Sequence, residues 1–179
     1  MYTISKILVP VDFSEHSANG LQYAASLAYK SGAEIIALHV MSKKKEDSFQ
    51  SVLATFEGWP VPPATAKRFP LDRQLQERSL DLYNFIEKVL GQRFLLKIRR
   101  DVRVGEPVHE IVAAARQSRA DLVVIESPQK PLLSYLLARG LLFRLGLKLP
   151  CPLLVVPPDS YSAWAGPRDT RLLADLRPH

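Results

Sequence analysis

The stretch Asp121–Pro158, DLVVIESPQKPLLSYLLARGLLFRLGLKLPCPLLVVPP, decides the fold. Leu122 to Ile125 and Leu153 to Val156 are short runs of leucine and β-branched residues bounded by polar residues or proline, which is how parallel strands covered on both faces read. One long apolar segment lies between them, and a parallel crossover of that length carries a helix. The stretch therefore reads strand, loop, helix, strand. In an open α/β sheet ligands bind where the chain leaves a strand's carboxyl end, so chemistry is expected in the loop Glu126 to Pro131.

That loop is a poor phosphate cradle. Such a cradle needs backbone N–H groups aimed at the anion and glycines that let the backbone approach it. This loop has no glycine, and Pro128 and Pro131 each remove an amide donor. Lys130 remains as a point charge for an anion.

Outward from this stretch the same alternation of buried strand and amphipathic helix recurs. Ile4 to Val11 reads as the first strand, followed by Asp12 at its exit and Ser14 as a helix N-cap. Ala18, Leu21, Ala25 and Ala28 make the helix's apolar stripe, and Gly32 ends it. Ala33 to Met41 is a second buried strand. Asp72 to Gly91 is a helix by the spacing of Leu75, Leu82, Ile86 and Val89. Lys97 to Val104 alternates, with Ile98, Val102 and Val104 on one face and Lys97, Arg99, Asp101 and Arg103 on the other, as a charged edge strand does. Gly105 and Pro107 open a third helix whose Val108, Ile111, Val112 and Ala115 face the sheet. The fourth helix, Leu132 to Leu147, carries Leu, Ala, Tyr or Phe at eleven of its sixteen positions and needs more than one apolar neighbour.

Taken in order, KILVPVDFSEHSANGLQYAASLA, AEIIALHV, RVGEPVHEIVAAA, ADLVVI and PCPLLVV resemble the universal stress protein family over nearly all of residues 2–157. The resemblance implies a Rossmann-like, adenine nucleotide alpha hydrolase-like α/β fold: a doubly wound open sheet of five parallel strands in the order 3-2-1-4-5. In the family's nucleotide-binding members the loop reads glycine, two residues, glycine, nine residues, then glycine followed by serine or threonine. Counted back from Pro150-Cys151-Pro152, those places hold Glu126, Gln129, Arg139 and Gly140, and the pattern is not met. The resemblance thus implies a non-enzymatic stress-response regulatory or binding protein without ATP or another cofactor. The alternative is an atypical ATP- or AMP-binding protein or slow ATPase. Should a nucleotide site survive, its residues are Asp12, Val40, Gly105, Lys130, Arg139 and Gly140, with Lys130 and Arg139 standing in for glycine amides. A competing role for Asp12 is to shape the strand-to-helix turn by accepting backbone N–H bonds. His39 could meet Asp12 and His16 at the carboxyl edge of the sheet, although a strand histidine is commonly a hydrogen-bonded wall residue, and no metal set is expected.

The chain's 179 residues suit one α/β domain, residues 1–158, with a proline-rich insertion at 42–71 and a tail at 159–179. A net charge of +6 is spread rather than massed with aromatics, so no specific nucleic acid is expected. One cysteine, Cys151, reads as a structural thiol, and the absence of a membrane-length apolar run or a signal-like start points to the cytoplasm. The resemblance implies a homodimer that pairs Leu153 to Val156 with its copy. Leu132 to Leu147 and the 42–71 insertion are candidate faces for a protein partner.

Overall fold

The structure, a computed structural model, describes residues 3–41, 71–91, 96–126 and 132–157, with 132–139 described through their backbone alone. The bulk of the 42–71 insertion, the tail, Lys130 and the other loop residues 127–131 lie outside the described residues. In chain order the elements are β1 (Lys6–Pro10), α1 (Glu15–Ser31), β2 (Glu34–Met41), α2 (Leu71–Leu90), β3 (Ile98–Val104), α3 (Pro107–Ser118), β4 (Leu122–Glu126), α4 (Leu132–Lys148) and β5 (Leu153–Val156). The strands form one parallel sheet in the order β3-β2-β1-β4-β5, as expected.

Strand alternation divides the core between two faces. Ile7 and Val9 of β1, with Ile35 and Ala37 of β2, point to the side covered by α1 and α2, where Leu21, Ala25, Leu82 and Ile86 are buried. Leu8, Ile36 and Leu38 point the other way, onto Val108, Ile111 and Ala115 of α3 and Leu145 of α4. This two-sided burial is why the central strands read as unbroken apolar runs.

The helix ends are written locally. The Ser14 side chain caps α1 by accepting from the Ser17 N–H at 3.2 Å, and Gly32 ends that helix with φ 73°, its N–H donating to the Ala28 carbonyl at 2.8 Å. Pro107 opens α3, and Gly91 follows α2 at φ 61°. Far from the strand exits, the Asp121 carboxylate ties β1 to β4 by accepting from the Ser5 and Lys6 amides at 2.8 and 2.9 Å.

β3 stands at the sheet edge as expected, and three details differ from the sequence reading. Glu126, assigned to the loop, is the last residue of β4 and pairs in register with Val156. The charged face of β3 is partly covered: Arg103 donates to Asp101 at 2.9 Å and to Gln117 of α3 at 2.8 Å, while Lys97 and Arg99 stay exposed. A strand needs a charged open face only where nothing lies over it, and here α3 supplies a polar cover. Finally, the described half of α4 buries Leu145 completely yet leaves Phe143 and Leu147 exposed.

Candidate functional site

The exits of β1 and β4 lie side by side, since Ile7 and Leu8 pair with Leu122 and Val123. The turn after β1 is tightly held. Phe13 sits in the left-handed region at φ 64°, uncommon for a bulky residue, and this turns Ser14 back onto Asp12. Asp12 Oδ1 accepts from the Ser14 amide at 3.1 Å and from the Ser14 hydroxyl. Burial opposes ionisation of Asp12, but the Ser14 side-chain and backbone bonds, with Ser17, bring its carboxyl below the usual aspartate range. The turn-shaping role foreseen for Asp12 is therefore present.

His39 is a wall residue. Its Nδ1 lies 2.8 Å from the Val11 carbonyl oxygen, which can only accept, and its ring is 4.4 Å from that of Phe13. Phe13 in turn meets Phe85 edge-on at 5.6 Å, which holds the unusual turn from below. His16 faces elsewhere: its Nδ1 is 3.6 Å from Glu126 Oε1. The structure thus separates His39 from His16. Among the described residues no group of His, Cys, Asp and Glu is arranged to hold a metal ion.

Glu126 closes β4 with its side chain only 1% exposed. Asn19 of α1 donates to its Oε1 at 3.3 Å. The helix is seated closely on this strand end: a Cβ on Gly20 would stand 3.5 Å from the Glu126 nitrogen, in ordinary van der Waals contact.

Above these groups opens a cleft of about 380 Å³. Asp12, Ser14, His16, Ser17 and Glu126 form its polar end, and Leu38, Val40, Ile111, Ile125, Leu141 and Leu142 its apolar walls. No lysine or arginine is among the described residues that line it. Its rim is fixed by Glu106, which caps α3 by accepting from the His109 amide at 2.8 Å and meets Arg144 of α4 at 3.4 Å. Slight burial opposes ionisation of Glu106, but the His109 bond and the Arg144 charge hold its carboxyl below the usual range. Both hydroxyls at the polar end, Ser14 and Ser17, are bonded into the start of α1. Apolar walls with a few polar groups gathered at one end are the usual make-up of a small-molecule site.

Of the candidate residues named from sequence, Asp12 and Val40 line this cleft. Gly105 does not: its amide donates to the Met41 carbonyl at 2.9 Å, and the Glu110 carboxylate fills the space where a Cβ would be, 2.6 Å away. Gly140 is exposed with open space beside it. Lys130 and the Arg139 side chain lie outside the described residues. Sequence reasoning placed chemistry in the loop that starts at Glu126 but did not single out its side chain as a wall of the cleft, and it missed Leu141 and Leu142. The available signal was an acidic residue directly ending an apolar strand.

Compared with known proteins, residues 3–157 match the family model described as Universal stress protein family. Universal stress protein MJ0531 of Methanocaldococcus jannaschii is 26% identical over 151 residues, covering 84% of this chain and 81% of that relative. The solved structure of the hypothetical protein MJ0577 superposes with a TM-score of 0.63 at 24% identity, over 88% of this chain and 99% of that one. A universal stress protein in complex with cAMP gives 0.58 at 16% identity over 87% and 98% of the two chains. One from Archaeoglobus fulgidus in complex with dAMP gives 0.51 at 17% identity over 87% and 99%. At these identities the superpositions establish the fold.

Proposed function

The chain belongs to the universal stress protein family, and within it we propose a non-enzymatic, stress-related regulatory or binding protein whose cleft does not take ATP. One observation carries the reading: the Asp12 carboxyl, which ionises below the usual aspartate range, lines the cleft at the exit of β1, and no lysine or arginine is among the described residues that line it. A phosphate within about 4 Å of an ionised carboxylate is repelled by about 4 kcal/mol at the effective dielectric of a protein surface. That alone lowers affinity by roughly a thousandfold. The loop's missing glycines and its two prolines, Pro128 and Pro131, act in the same direction. Calorimetric titration with Mg-ATP tests this. We expect no saturable heat; a micromolar dissociation constant that disappears in Asp12→Ala would overturn the reading. It would favour the second one, an atypical adenine-nucleotide binder or slow ATPase, to which the cAMP and dAMP complexes of similarly folded proteins lend support.

The same proposal includes a homodimer across β5 and a cytoplasmic location. Among the described residues β5 pairs with β4 alone, so no described strand covers its outer edge, and Val155 is exposed. Pro152 and Pro157 bracket the strand and limit any join to a few residues. No helix among the described residues is long and apolar enough to cross a membrane. Light scattering should show a dimer that Val155→Lys dissociates; a monomeric parent chain refutes the assembly.

A further inference from the structure

We propose a second binding site, separate from the cleft, that takes a free amino acid with an apolar side chain: the groove between the C-terminal half of α2 and the start of β3, where Glu87 and Arg100 hold the two charged ends of the zwitterion. The groove has a volume of about 300 Å³ and shares no described lining residue with the cleft. It lies at the amino-terminal end of β3, whereas the cleft opens at the strand exits. Whether or not the cleft takes ATP, this second site is unaffected. Its floor is apolar. Ile86 and Leu90 of α2 are buried, and the half-buried Leu96 and Ile98 pack against the same cluster.

Opposite charges stand on the two banks. The Arg100 guanidinium of β3 is positioned by the protein itself: its carbon lies 5.1 Å from the centroid of the Tyr83 ring, and its Nη1 donates to the Ser79 carbonyl at 3.4 Å. A guanidinium carries five N–H donors, so others remain for a carboxylate. Glu87 follows Tyr83 by four residues, about 6 Å along the axis of α2. Glu77 and Asp81 of the same helix are taken up by Arg73 and Arg78 at 3.2 and 3.1 Å, but Glu87 forms no ion pair with a described residue, Arg100 included. Two opposite charges that line one groove without meeting are complementary to a molecule that carries both. Its carboxylate takes Arg100, its ammonium takes Glu87, and its side chain lies on Ile86 and Leu90. A plain anion or a plain cation gains at one bank and is repelled at the other. The volume falls at the small end of ligand sites, which suits a single amino acid.

Saturation-transfer NMR on the full chain compares L-phenylalanine with N-acetyl-L-phenylalanine, which lacks the ammonium, and with L-phenylalaninamide, which lacks the carboxylate. L-phenylalanine should bind about fivefold more tightly than either. Glu87→Gln should remove the preference over the N-acetyl compound and keep the preference over the amide, and Arg100→Gln should do the reverse. Both positions are exposed, and circular dichroism establishes that each variant is folded. Equal binding of the three molecules, no L-phenylalanine binding by about 10 mM, or preferences that survive both substitutions overturns the proposal. So does a folded variant that loses both preferences together, because each charge is assigned to one end of the ligand.

Discussion

Replacing Gly20 tests how closely α1 is seated on the end of β4, and the sign of the effect should change with the size of the side chain. Gly20 is in the middle of α1, where glycine costs about 0.8–1 kcal/mol relative to alanine. A Cβ there would lie 3.5 Å from the Glu126 nitrogen, 3.9 Å from the Glu126 Cβ and 4.0 Å from the Ile125 carbonyl carbon, all ordinary contacts. Gly20→Ala therefore recovers the helix term and buries a methyl group without displacing the strand. We expect about 1 kcal/mol of added stability, or roughly 2–4 °C in Tm for a domain of this size. Gly20→Val adds two more carbons toward backbone that cannot rotate away, and overpacking of this kind costs about 1–3 kcal/mol. It should also push Asn19 and His16 off Glu126. Urea denaturation followed by circular dichroism, with m unchanged, reads both numbers. If Gly20→Ala destabilises by more than about 0.5 kcal/mol, or Gly20→Val is as stable as the parent, the seating of α1 described above is wrong.

Leu145 is the fully buried anchor of the described half of α4, so Leu145→Ala should cost about 2–5 kcal/mol in the same assay. Arg144→Ala, which removes a half-exposed ion pair to Glu106, should cost under about 1 kcal/mol, and equal losses would refute the ranking. Because the folded carboxyl of Asp12 ionises below the ordinary range, its stabilising effect is complete above the unfolded pKa of about 4 and is lost as pH falls through the lower folded value. Asp12→Asn should accordingly be less stable than the parent near pH 7 and converge with it as the pH falls through and below the ordinary aspartate range; a gap that widens in acid contradicts the assignment. Burial, and then the Asp121 charge, raise the Cys151 thiol above its usual range, so iodoacetamide should label it more slowly than glutathione at neutral pH and equally fast once urea unfolds the chain.

The fold was legible because its signals are local and repeated. Apolar runs such as Ile7 to Val9 and Leu122 to Ile125, Ser14 before α1 and Pro107 at the start of α3 each follow from backbone chemistry read over a few residues. Asp12 and Val40 were correctly brought to one end of the sheet for the same reason. What escaped depends on contacts between distant segments. The left-handed Phe13 is stabilised by His39 and Phe85, neither of which is near it in sequence. Glu126 read as a loop residue because acidic side chains rarely end a buried strand, and Asn19 and His16, which meet it, lie over a hundred residues earlier. Gly105 looked like a ligand-approach glycine, whereas its small size makes room for Glu110.

The central place of β1 also sets the order in which the sheet can be assembled. Its partner on one side, β2, follows after a single helix, but its partner on the other side is β4, and the Asp121 clasp to Lys6 joins residues 115 apart. During synthesis the β3-β2-β1 half can pair while β4 is still being made. At ordinary elongation rates the second edge of β1 then waits on the order of 10 s for its partner. In that interval Ile7, Leu8 and Val9 sit on an apolar strand with one open side, the state in which a nascent chain is most prone to join another. Slow-folding, non-local topology is thus concentrated in the strand whose exit carries Asp12.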